Sequence, residues 1–261
     1  MAIHVGTSGY SYQDWRGHFY PEGLPEREML AFYSRHFETV EINTTYYRMP
    51  DAGMLSRMRQ KVPPEFRFVV KAGKELTHEI GGEADALFAR FVSALAPLRD
   101  AGQLGCVLAQ FPWSFRNSAP NRAYVAALAD RMQGTATVVE FRNREWVRDE
   151  TFDLLRAAGL GYCCVDEPRL KGLMPPLAVA TSSVGYFRFH GRNAQKWWRH
   201  EEAWERYDYL YSETELREWV PRIHDVARQT QETYAFFNNH YQGQAGRNAR
   251  MLMQLLLPEQ S

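Results

Sequence analysis

The sequence has few cysteines and no long apolar run, and both shortages narrow the class of protein it encodes. Its three cysteines, Cys106, Cys163 and Cys164, lie in apolar strand-like runs and form no Cys-x-x-Cys motif. That pattern argues against a disulfide framework and a zinc ribbon. No apolar run approaches the roughly 18 residues that span a bilayer, and Met1–Val5 lacks the basic and long apolar regions of a signal peptide. We therefore expect no membrane association and a cytoplasmic location.

The chain also lacks net charge. Its 31 Lys and Arg balance its 31 Asp and Glu, so no global field attracts nucleic acid or an anionic membrane. This balance is compatible with a local basic patch. A length of 261 residues suits one barrel or two small domains. We find no repeat, linker or low-complexity stretch, and therefore expect a single domain over residues 1–261. The oligomeric state is left open.

Several familiar catalytic motifs are missing as well. The sequence contains no Gly-x-Gly-x-x-Gly after a strand, no phosphate-binding P-loop and no Gly-x-Ser-x-Gly elbow. The commonest retaining glycosidases of barrel type place carboxylates at the ends of strands four and seven. Here those positions are Gln110 and His190, so that mechanism would need carboxylates elsewhere.

What is present is a regular alternation of strand-like runs with helical patterns. A parallel sheet with helical crossovers follows from this alternation, and eight units over this length favour closure into a (β/α)₈ TIM-like barrel over an open doubly wound sheet. The predicted strands are Ile3–Ser8, Thr39–Thr44, Phe66–Lys71, Gly105–Gln110, Thr137–Arg142, Gly161–Asp166, Tyr186–His190 and Tyr234–Asn239.

Two crossovers have distinctive sequences. Pro168–Val184 contains Pro168, Pro175 and Pro176 without an apolar stripe, so we expect the sixth helix to be missing or rudimentary. A later helix is predicted to begin with a capping box formed by Ser212 and Glu215.

Polar residues recur where the predicted strands end. Because side chains alternate faces along a strand, Glu41 with Asn43, Glu140 with Arg142 and Arg188 with His190 share a side, and their apolar neighbours face the helices. Barrel enzymes build their sites at this face, which favours a ligand site over the alternative of an ion-pair network that merely fills the barrel. The predicted site residues are Ser8, Glu41, Asn43, Lys71, Gln110, Glu140, Arg142, Asp166, Arg188, His190, Asn238 and Asn239.

These residue types suggest acid–base chemistry on a small polar ligand. Glu41 or Glu140 is the candidate base and His190 the candidate acid, with Asp166 beside them. The arginines suit a phosphate or carboxylate, the asparagines suit hydroxyls, and Ser8, Lys71 and Gln110 complete the binding set. The sequence thus predicts either a hydrolase or isomerase-like enzyme acting on a carbohydrate-like, phosphorylated or nucleic-acid substrate, or a non-catalytic binder of a polar anion.

A divalent metal is a second interpretation of the same residues. The order Glu140, Asp166 and His190 on strands five to seven is similar to the metal ligands of xylose-isomerase-like barrels, and carboxylate with imidazole suits Mn²⁺ or Zn²⁺. The departure comes at strand eight, where that pattern has Glu and this chain has Asn238 or Asn239. The competing interpretation is that Glu140 pairs with Arg142 or Arg188 and His190 binds substrate.

Two predicted loops are rich in aromatic residues. Gly9–Pro25 carries three tyrosines and a tryptophan, and Gly191–Tyr211 interleaves tryptophans and tyrosines with Arg192, Lys196, Arg199 and Arg206. Such a surface stacks sugars or bases while it holds phosphates. The alternative is an apolar loop packed over the missing sixth helix. We expect the second loop to lie beside the barrel mouth.

The motifs together resemble one family. The opening Gly6-Thr7-Ser8-Gly9-Tyr10, the run Val40–Pro50, Glu140-Phe141-Arg142 and Phe187–Arg192 with Phe237–His240 are similar to the YecE-like family, domain of unknown function seventy-two. The matching motifs are dispersed over nearly the whole chain. The resemblance implies a TIM-barrel fold and carries no established activity.

Overall fold

Eight parallel strands form at the positions that the sequence predicts. The structure is a computed structural model that describes residues 2–82 and 84–257, so Met1, Glu83 and residues 258–261 of the expected 1–261 domain lie outside the described residues. The strands are β1 (Ala2–Thr7), β2 (Thr39–Ile42), β3 (Arg67–Lys71), β4 (Leu104–Gln110), β5 (Thr137–Glu140), β6 (Gly161–Asp166), β7 (Val184–Phe189) and β8 (Glu232–Phe237). They pair in the order β1-β8-β7-β6-β5-β4-β3-β2, which confirms the α/β barrel.

Helices connect the strands and cover the outside of the sheet. None of the helices described is long and apolar enough to cross a membrane. The helices are α1 (Glu26–Tyr33), α2 (Ala52–Arg59), α3 (Lys74–Thr77), α4 (Ala84–Ala94), α5 (Ala96–Asp100), α6 (Ala119–Ala126), α7 (Leu128–Arg131), α8 (Asp149–Ala157), α9 (Glu213–Arg217), α10 (Val220–Ala227) and α11 (Gln244–Leu256). Short 3₁₀ turns lie at Gln13–Trp15, Thr44–Tyr46, Arg144–Trp146, Ala203–Tyr207 and Tyr241–Gly243.

The sixth crossover has no helix, as predicted. Residues 167–183 run from β6 to β7 as turns and irregular backbone. Prolines at positions 168, 175 and 176 remove donors that a helix would need. The segment is fastened by other contacts, among them the Arg222 guanidinium of α10, which donates to the Pro176 carbonyl at 2.6 Å.

The seventh crossover begins with the predicted capping box. The Ser212 hydroxyl accepts from the Glu215 backbone, and the Glu215 carboxylate accepts from the Ser212 backbone. The helix then breaks between Arg217 and Val220 and resumes as α10. Pro221 is one reason for the break, because it cannot donate the backbone hydrogen bond that would continue α9.

The seam between β1 and β2 is closed mainly by a side chain. A single bridge joins Ser8 to Glu41 there. Below it, the Tyr33 hydroxyl accepts from the Thr7 backbone N–H at 3.0 Å and donates to the Thr39 carbonyl at 3.0 Å. Gly6 permits this close approach, because a Cβ at that position would lie 2.4 Å from the Thr39 oxygen. The hydroxyl thus completes the ring of strands.

This seam gives a test of how the barrel closes. Tyr33→Phe leaves the Thr7 N–H and the Thr39 carbonyl without their partner, so we expect a loss of about 1–3 kcal/mol in the free energy of unfolding, measured in urea. Tyr162→Phe is the matched control, because the Tyr162 hydroxyl is buried and makes no hydrogen bond among the described residues. Equal losses in the two variants would show that the Tyr33 hydroxyl plays no special part in closure.

Candidate functional site

Arg188 is the centre of a buried ion network inside the barrel. Its guanidinium donates to the Glu41 carboxylate of β2 at 2.7 Å and to the Glu140 carboxylate of β5 at 2.7 Å. It also reaches the Ser8 hydroxyl at 3.3 Å, and the Tyr186 hydroxyl donates to Glu41 at 2.6 Å. All five side chains are buried. The predicted inward orientation of Glu41, Glu140 and Arg188 is therefore correct.

His190 extends this network without carrying a charge. Its Nε2 lies 3.0 Å from a Glu140 oxygen, and its Nδ1 lies 3.2 Å from the Asn238 amide nitrogen. The partners assign a neutral ring that donates through Nε2 and accepts at Nδ1. Burial and the Arg142 guanidinium lower the pKa of His190 to about 3, although Glu140 acts in the opposite direction. A neutral imidazole does not suit the acid role predicted for His190.

Arg142 adds a second cation above Glu140. Its Nε lies 2.5 Å from a Glu140 oxygen, and its Nη1 lies 3.6 Å from a Glu167 oxygen. Burial alone would raise the pKa of Glu140, but Arg142, Arg188 and His190 together hold it well below its ordinary value. Glu140 is therefore a weak base, contrary to the role predicted for it. Burial raises the pKa of Glu167 to about 7, with Arg142 opposing that shift.

A cavity of about 970 Å³ lies above the network, at the carboxyl ends of the strands. Five predicted binding residues lie in its floor: Lys71, Gln110, Arg142, Arg188 and Asn238. Asn43, also predicted, lines the cavity from the end of β2. Five of its lining residues are basic and one is acidic. The charged members are Arg48, Arg57, Lys71, Arg142, Arg188 and Asp51.

Lys71 is the last residue of β3, and its amine has unusual surroundings for a lysine. Its Nζ donates to the Gln110 side-chain oxygen at 2.9 Å and lies 4.4 Å from the centre of the Tyr46 ring. Burial lowers the pKa of Lys71 to about 7, and the Arg188 and Arg142 guanidinium groups act in the same direction against Glu140 and Glu41. A partly exposed amine that exchanges its proton near neutral pH therefore lies in the cavity floor.

Asp166 does not join this group, and the prediction that it faces into the barrel is wrong. Its carboxylate accepts two hydrogen bonds from Arg192, at 2.8 and 2.7 Å, one from Tyr211 at 3.0 Å and one from the Trp219 indole at 2.6 Å. These partners belong to the outer layer that follows β7. Glu167, the next residue, takes the inward position beside Arg142.

The metal interpretation fails on the same geometry. Glu140 and His190 are in contact, but Asp166 lies on the other face of its strand and is bound by an arginine. No group of three or more His, Cys, Asp or Glu among the described residues could hold a metal ion. Glu140 instead pairs with Arg142 and Arg188, which was the competing interpretation.

The two aromatic loops contribute less to the cavity than the sequence indicates. Tyr10 and Tyr12 line it from the first loop and Tyr207 from the second, which places that loop beside the mouth. Trp197, however, is buried under Arg206. Other members of this loop make contacts elsewhere: Trp198 packs against Trp113, Trp204 stacks on Tyr241, Lys196 pairs with Glu205, and Arg192 pairs with Asp166. Outside the loops, the predicted binding residue Asn239 donates to the Tyr209 carbonyl and to Asn248.

The segment after β2 supplies the wall that the sequence did not predict. Thr44–Tyr47 and Arg48 leave β2 directly, and Arg57 follows on α2. Tyr47 is 78% exposed and Arg48 is exposed, so both are available to a ligand. The sequence did contain a signal for this wall, because two tyrosines and an arginine come within six residues of the end of β2.

Comparisons with known proteins agree with the fold. The sequence profile of the family described as protein of unknown function DUF72 matches residues 4–261. UPF0759 protein YunF of Bacillus subtilis (strain 168) is 30% identical over 97% of this chain and 94% of its own length. UPF0759 protein YecE of Escherichia coli (strain K12) is 30% identical over 43% of this chain and 39% of its own.

Two solved structures are similar over their full length. A DUF72 family protein from Thermotoga maritima MSB8 has a TM-score of 0.91 at 40% identity, covering 98% of this chain and 99% of that one. A DUF72 family protein from Enterococcus faecalis V583 has a TM-score of 0.86 at 25% identity, covering 99% of each chain. The family resemblance predicted from the motifs is confirmed.

The buried network predicts a large and pH-dependent loss for Arg188→Gln. This change leaves Glu41 and Glu140 buried without their shared cation, which costs about 3–5 kcal/mol at pH 7. Because the depressed pKa of Glu140 stabilises the fold only above the pKa of the unfolded chain, the difference from wild type should shrink as the pH falls through about 4. Chemical unfolding at several pH values measures it.

Arg217→Gln is the matched control for that experiment. Arg217 pairs with Glu213 at 2.7 Å on the surface of α9, with both side chains more than half exposed. We expect little change in its unfolding midpoint at any pH. A loss for Arg188→Gln that is equally small, or independent of pH, would contradict the network.

Replacing Lys71 is predicted to stabilise the fold, the opposite of the loss expected for Arg188→Gln. Between pH about 7 and about 10 the unfolded chain keeps the lysine proton and the folded chain releases it, so wild-type stability rises with pH there. Lys71→Met removes this dependence. We expect the variant to be more stable at pH 7 by roughly 1–4 kcal/mol, since each pKa unit is worth about 1.4 kcal/mol and water at the cavity screens part of it.

Unfolding of wild type and Lys71→Met at pH 7 and near pH 10 measures the difference. Lys74→Met is the control, because Lys74 is exposed and pairs with Glu79 at 2.9 Å. A Lys71→Met variant that is no more stable than wild type at pH 7 would show that the amine is not destabilised by its surroundings.

Proposed function

The chain belongs to the family of proteins of unknown function DUF72, and from the geometry of its barrel mouth we propose that it is an enzyme acting on a small anionic molecule by proton transfer at Lys71. The observation that carries the proposal is an amine with a pKa of about 7 in the floor of a cavity lined by an excess of cations. A general acid–base group works best when its pKa lies near the working pH.

The charge of the cavity favours an anionic ligand. Arg142 and Arg188 lie in the floor, and Arg48 and Arg57 lie on the wall formed by the segment after β2. Guanidinium groups match phosphate and carboxylate oxygens through paired N–H donors. Asp51 is the only acidic side chain among the described lining residues. Arg142 and Arg188 are paired with Glu140 and Glu41 beneath them, whereas Arg48 and Arg57 make no ion pair among the described residues and are the cations available to a bound anion.

The size and remaining surface of the cavity favour a small polar molecule. Its volume of about 970 Å³ lies at the upper end of the roughly 300–1,000 Å³ typical of small-molecule sites. Asn43 and Asn238 offer amides to hydroxyl groups, and the buried Asn43 side-chain oxygen has no partner among the described residues. The Tyr47 ring, which lines the cavity and is 78% exposed, suits a sugar or base ring. A phosphorylated sugar or nucleoside combines these features.

A nucleic-acid polymer is supported less well. Three of the four basic residues of the loop Gly191–Tyr211, Arg192, Lys196 and Arg206, are committed to contacts within the chain. The net charge of +0 supplies no general attraction to a polyanion.

The second candidate function is a non-catalytic binder of the same anion. It is favoured by the observation that Glu41 and Glu140 are both paired with Arg188 beneath the cavity and that His190 is hydrogen-bonded to Glu140, so none of the three acid–base residues predicted from the sequence is free to react. The two candidates differ at Lys71. In an enzyme, Lys71→Met should still bind the ligand through Arg48 and Arg57 and lose about 100- to 10,000-fold in turnover, whereas a binder yields no product with either protein.

The proposal is tested first by binding. We expect phosphorylated sugars and nucleosides to raise the melting temperature of the wild-type protein, and their unphosphorylated parents to have little effect. Combined Arg48→Gln and Arg57→Gln changes should weaken binding at least about tenfold, because a hydrogen bond to a charged group is worth about 1.5–3 kcal/mol.

Arg35→Gln is the matched control for that experiment, since Arg35 is exposed and lies outside the cavity lining. Ligands found in this way then serve as substrates in turnover assays with wild type and Lys71→Met. Equal binding of phosphorylated and unphosphorylated compounds, or equal weakening by the Arg35 change, would overturn the anion site.

A further inference from the structure

We propose that Lys71 acts as a nucleophile, condensing with the carbonyl carbon of a small anionic aldehyde or ketone to form an imine. The inference rests on the proposed function, because it places the reacting ligand in the same cavity and names its chemical class. It adds a covalent step that proton transfer alone does not require.

Lys71 lines the cavity, whereas Lys61 and Lys171 are exposed and the other two lysines pair with carboxylates. The chain has five lysines, at positions 61, 71, 74, 171 and 196. Lys74 pairs with Glu79 at 2.9 Å and Lys196 pairs with Glu205 at 2.8 Å, both on the surface. Among the described residues no carboxylate lies within ion-pair distance of Lys71, whose Nζ contacts the neutral Gln110 amide. No paired carboxylate therefore stabilises its ammonium form, which would have no lone pair to attack a carbonyl.

The surroundings also suit the product of the condensation. The amine nitrogen attacks the carbonyl carbon, an N–C bond forms, and the carbinolamine loses its oxygen and two hydrogens as one water to leave C=N. No electron donor or acceptor is needed. The imine nitrogen becomes a cation when protonated, and the Tyr46 ring at 4.4 Å from Nζ offers its face to such a cation.

The rest of the ligand is indicated by the arginines. Gln110 of β4 separates Lys71 on β3 from Arg142, which follows β5. Two strand spacings amount to roughly 10 Å between backbones, a distance that a molecule of a few carbon atoms spans when side chains reach inward. A carbonyl at one end and a phosphate or carboxylate at the other would place the first on Lys71 and the second on Arg142 or on the arginines of the segment after β2.

Reductive trapping tests this inference on the wild-type protein. The protein is mixed at about pH 7 with pyridoxal 5′-phosphate or pyridoxal, and with pyruvate or acetone, and then treated with borohydride. Peptide mapping by mass spectrometry locates the reduced adducts. At this pH about half of Lys71 is neutral, against roughly one part in a few thousand of an ordinary lysine. We expect labelling of Lys71 to exceed that of the other four lysines by about 10²–10³-fold.

The paired probes distinguish the anionic group. Faster trapping of pyridoxal 5′-phosphate than of pyridoxal identifies a phosphate site, and faster trapping of pyruvate than of acetone identifies a carboxylate site. Lys71→Arg should keep the fold by circular dichroism and lose the adduct, whereas Lys74→Arg should keep it. Equal trapping of charged and uncharged members in both pairs would overturn the anionic substrate class.

The imine and the anion site can fail independently of each other in these experiments. Labelling spread evenly over the five lysines overturns the imine. If phosphorylated ligands still bind and depend on Arg48 and Arg57 in that case, the anion site stands without a reactive Lys71. If neither trapping nor anion binding is observed, both proposals fail.

Discussion

Arg188 holds two carboxylates from opposite parts of the barrel, and the arrangement of the mouth depends on that contact. Glu41 comes from β2 and Glu140 from β5, and each lies 2.7 Å from the guanidinium supplied by β7. The interior of an eight-stranded barrel is just wide enough for side chains to fill, so this group closes the barrel beneath the cavity. Removing any one charge would leave its partner buried and unpaired, which is why the network is costly to alter.

The network determines what its neighbours can do. Glu140 is occupied by Arg188, Arg142 and His190, so its pKa is held low and it cannot take a proton at neutral pH. His190 is kept neutral between Glu140 and Asn238. Burial lowers the pKa of Lys71, and repulsion from Arg188 and Arg142 lowers it further, so its proton is easily lost. The charges of the buried network thus contribute to the reactivity of the Lys71 amine without being reactive themselves.

The sequence was informative where alternation along a strand was clear. Thr-Val-Glu-Ile and Phe-Arg-Phe-His alternate apolar with charged residues, so their inward faces could be predicted. Alternation is absent in β6, Gly-Tyr-Cys-Cys-Val-Asp, because no charged residue precedes Asp166 on either of its faces. The inward residue there could not be chosen between Asp166 and Glu167. The outer partners of Asp166, Arg192 and Trp219, come from distant segments that only the fold brings together.

Loops were predicted less well than strands for a related reason. Aromatic content marks a loop as a candidate wall but does not show which rings face a ligand and which pack on each other. Trp197 and Trp204 pack within the protein, whereas Tyr46 and Tyr47 line the cavity. The perturbed pKa of Lys71 was also beyond the sequence, since it arises from burial in the folded chain and from charged groups on or after other strands. Its position at a strand end was predicted, and its chemistry was not.

The central claim is that this amine loses its proton near neutral pH, and a direct titration decides it. Nuclear magnetic resonance of the lysine side chains, assigned with Lys71→Arg, follows each amine as the pH is raised. We expect a midpoint for Lys71 near pH 7, moving upward when an anion binds beside it, while Lys74 titrates at or above the ordinary value of 10.5. A Lys71 midpoint close to that of Lys74 would show that its surroundings in the barrel do not lower its pKa.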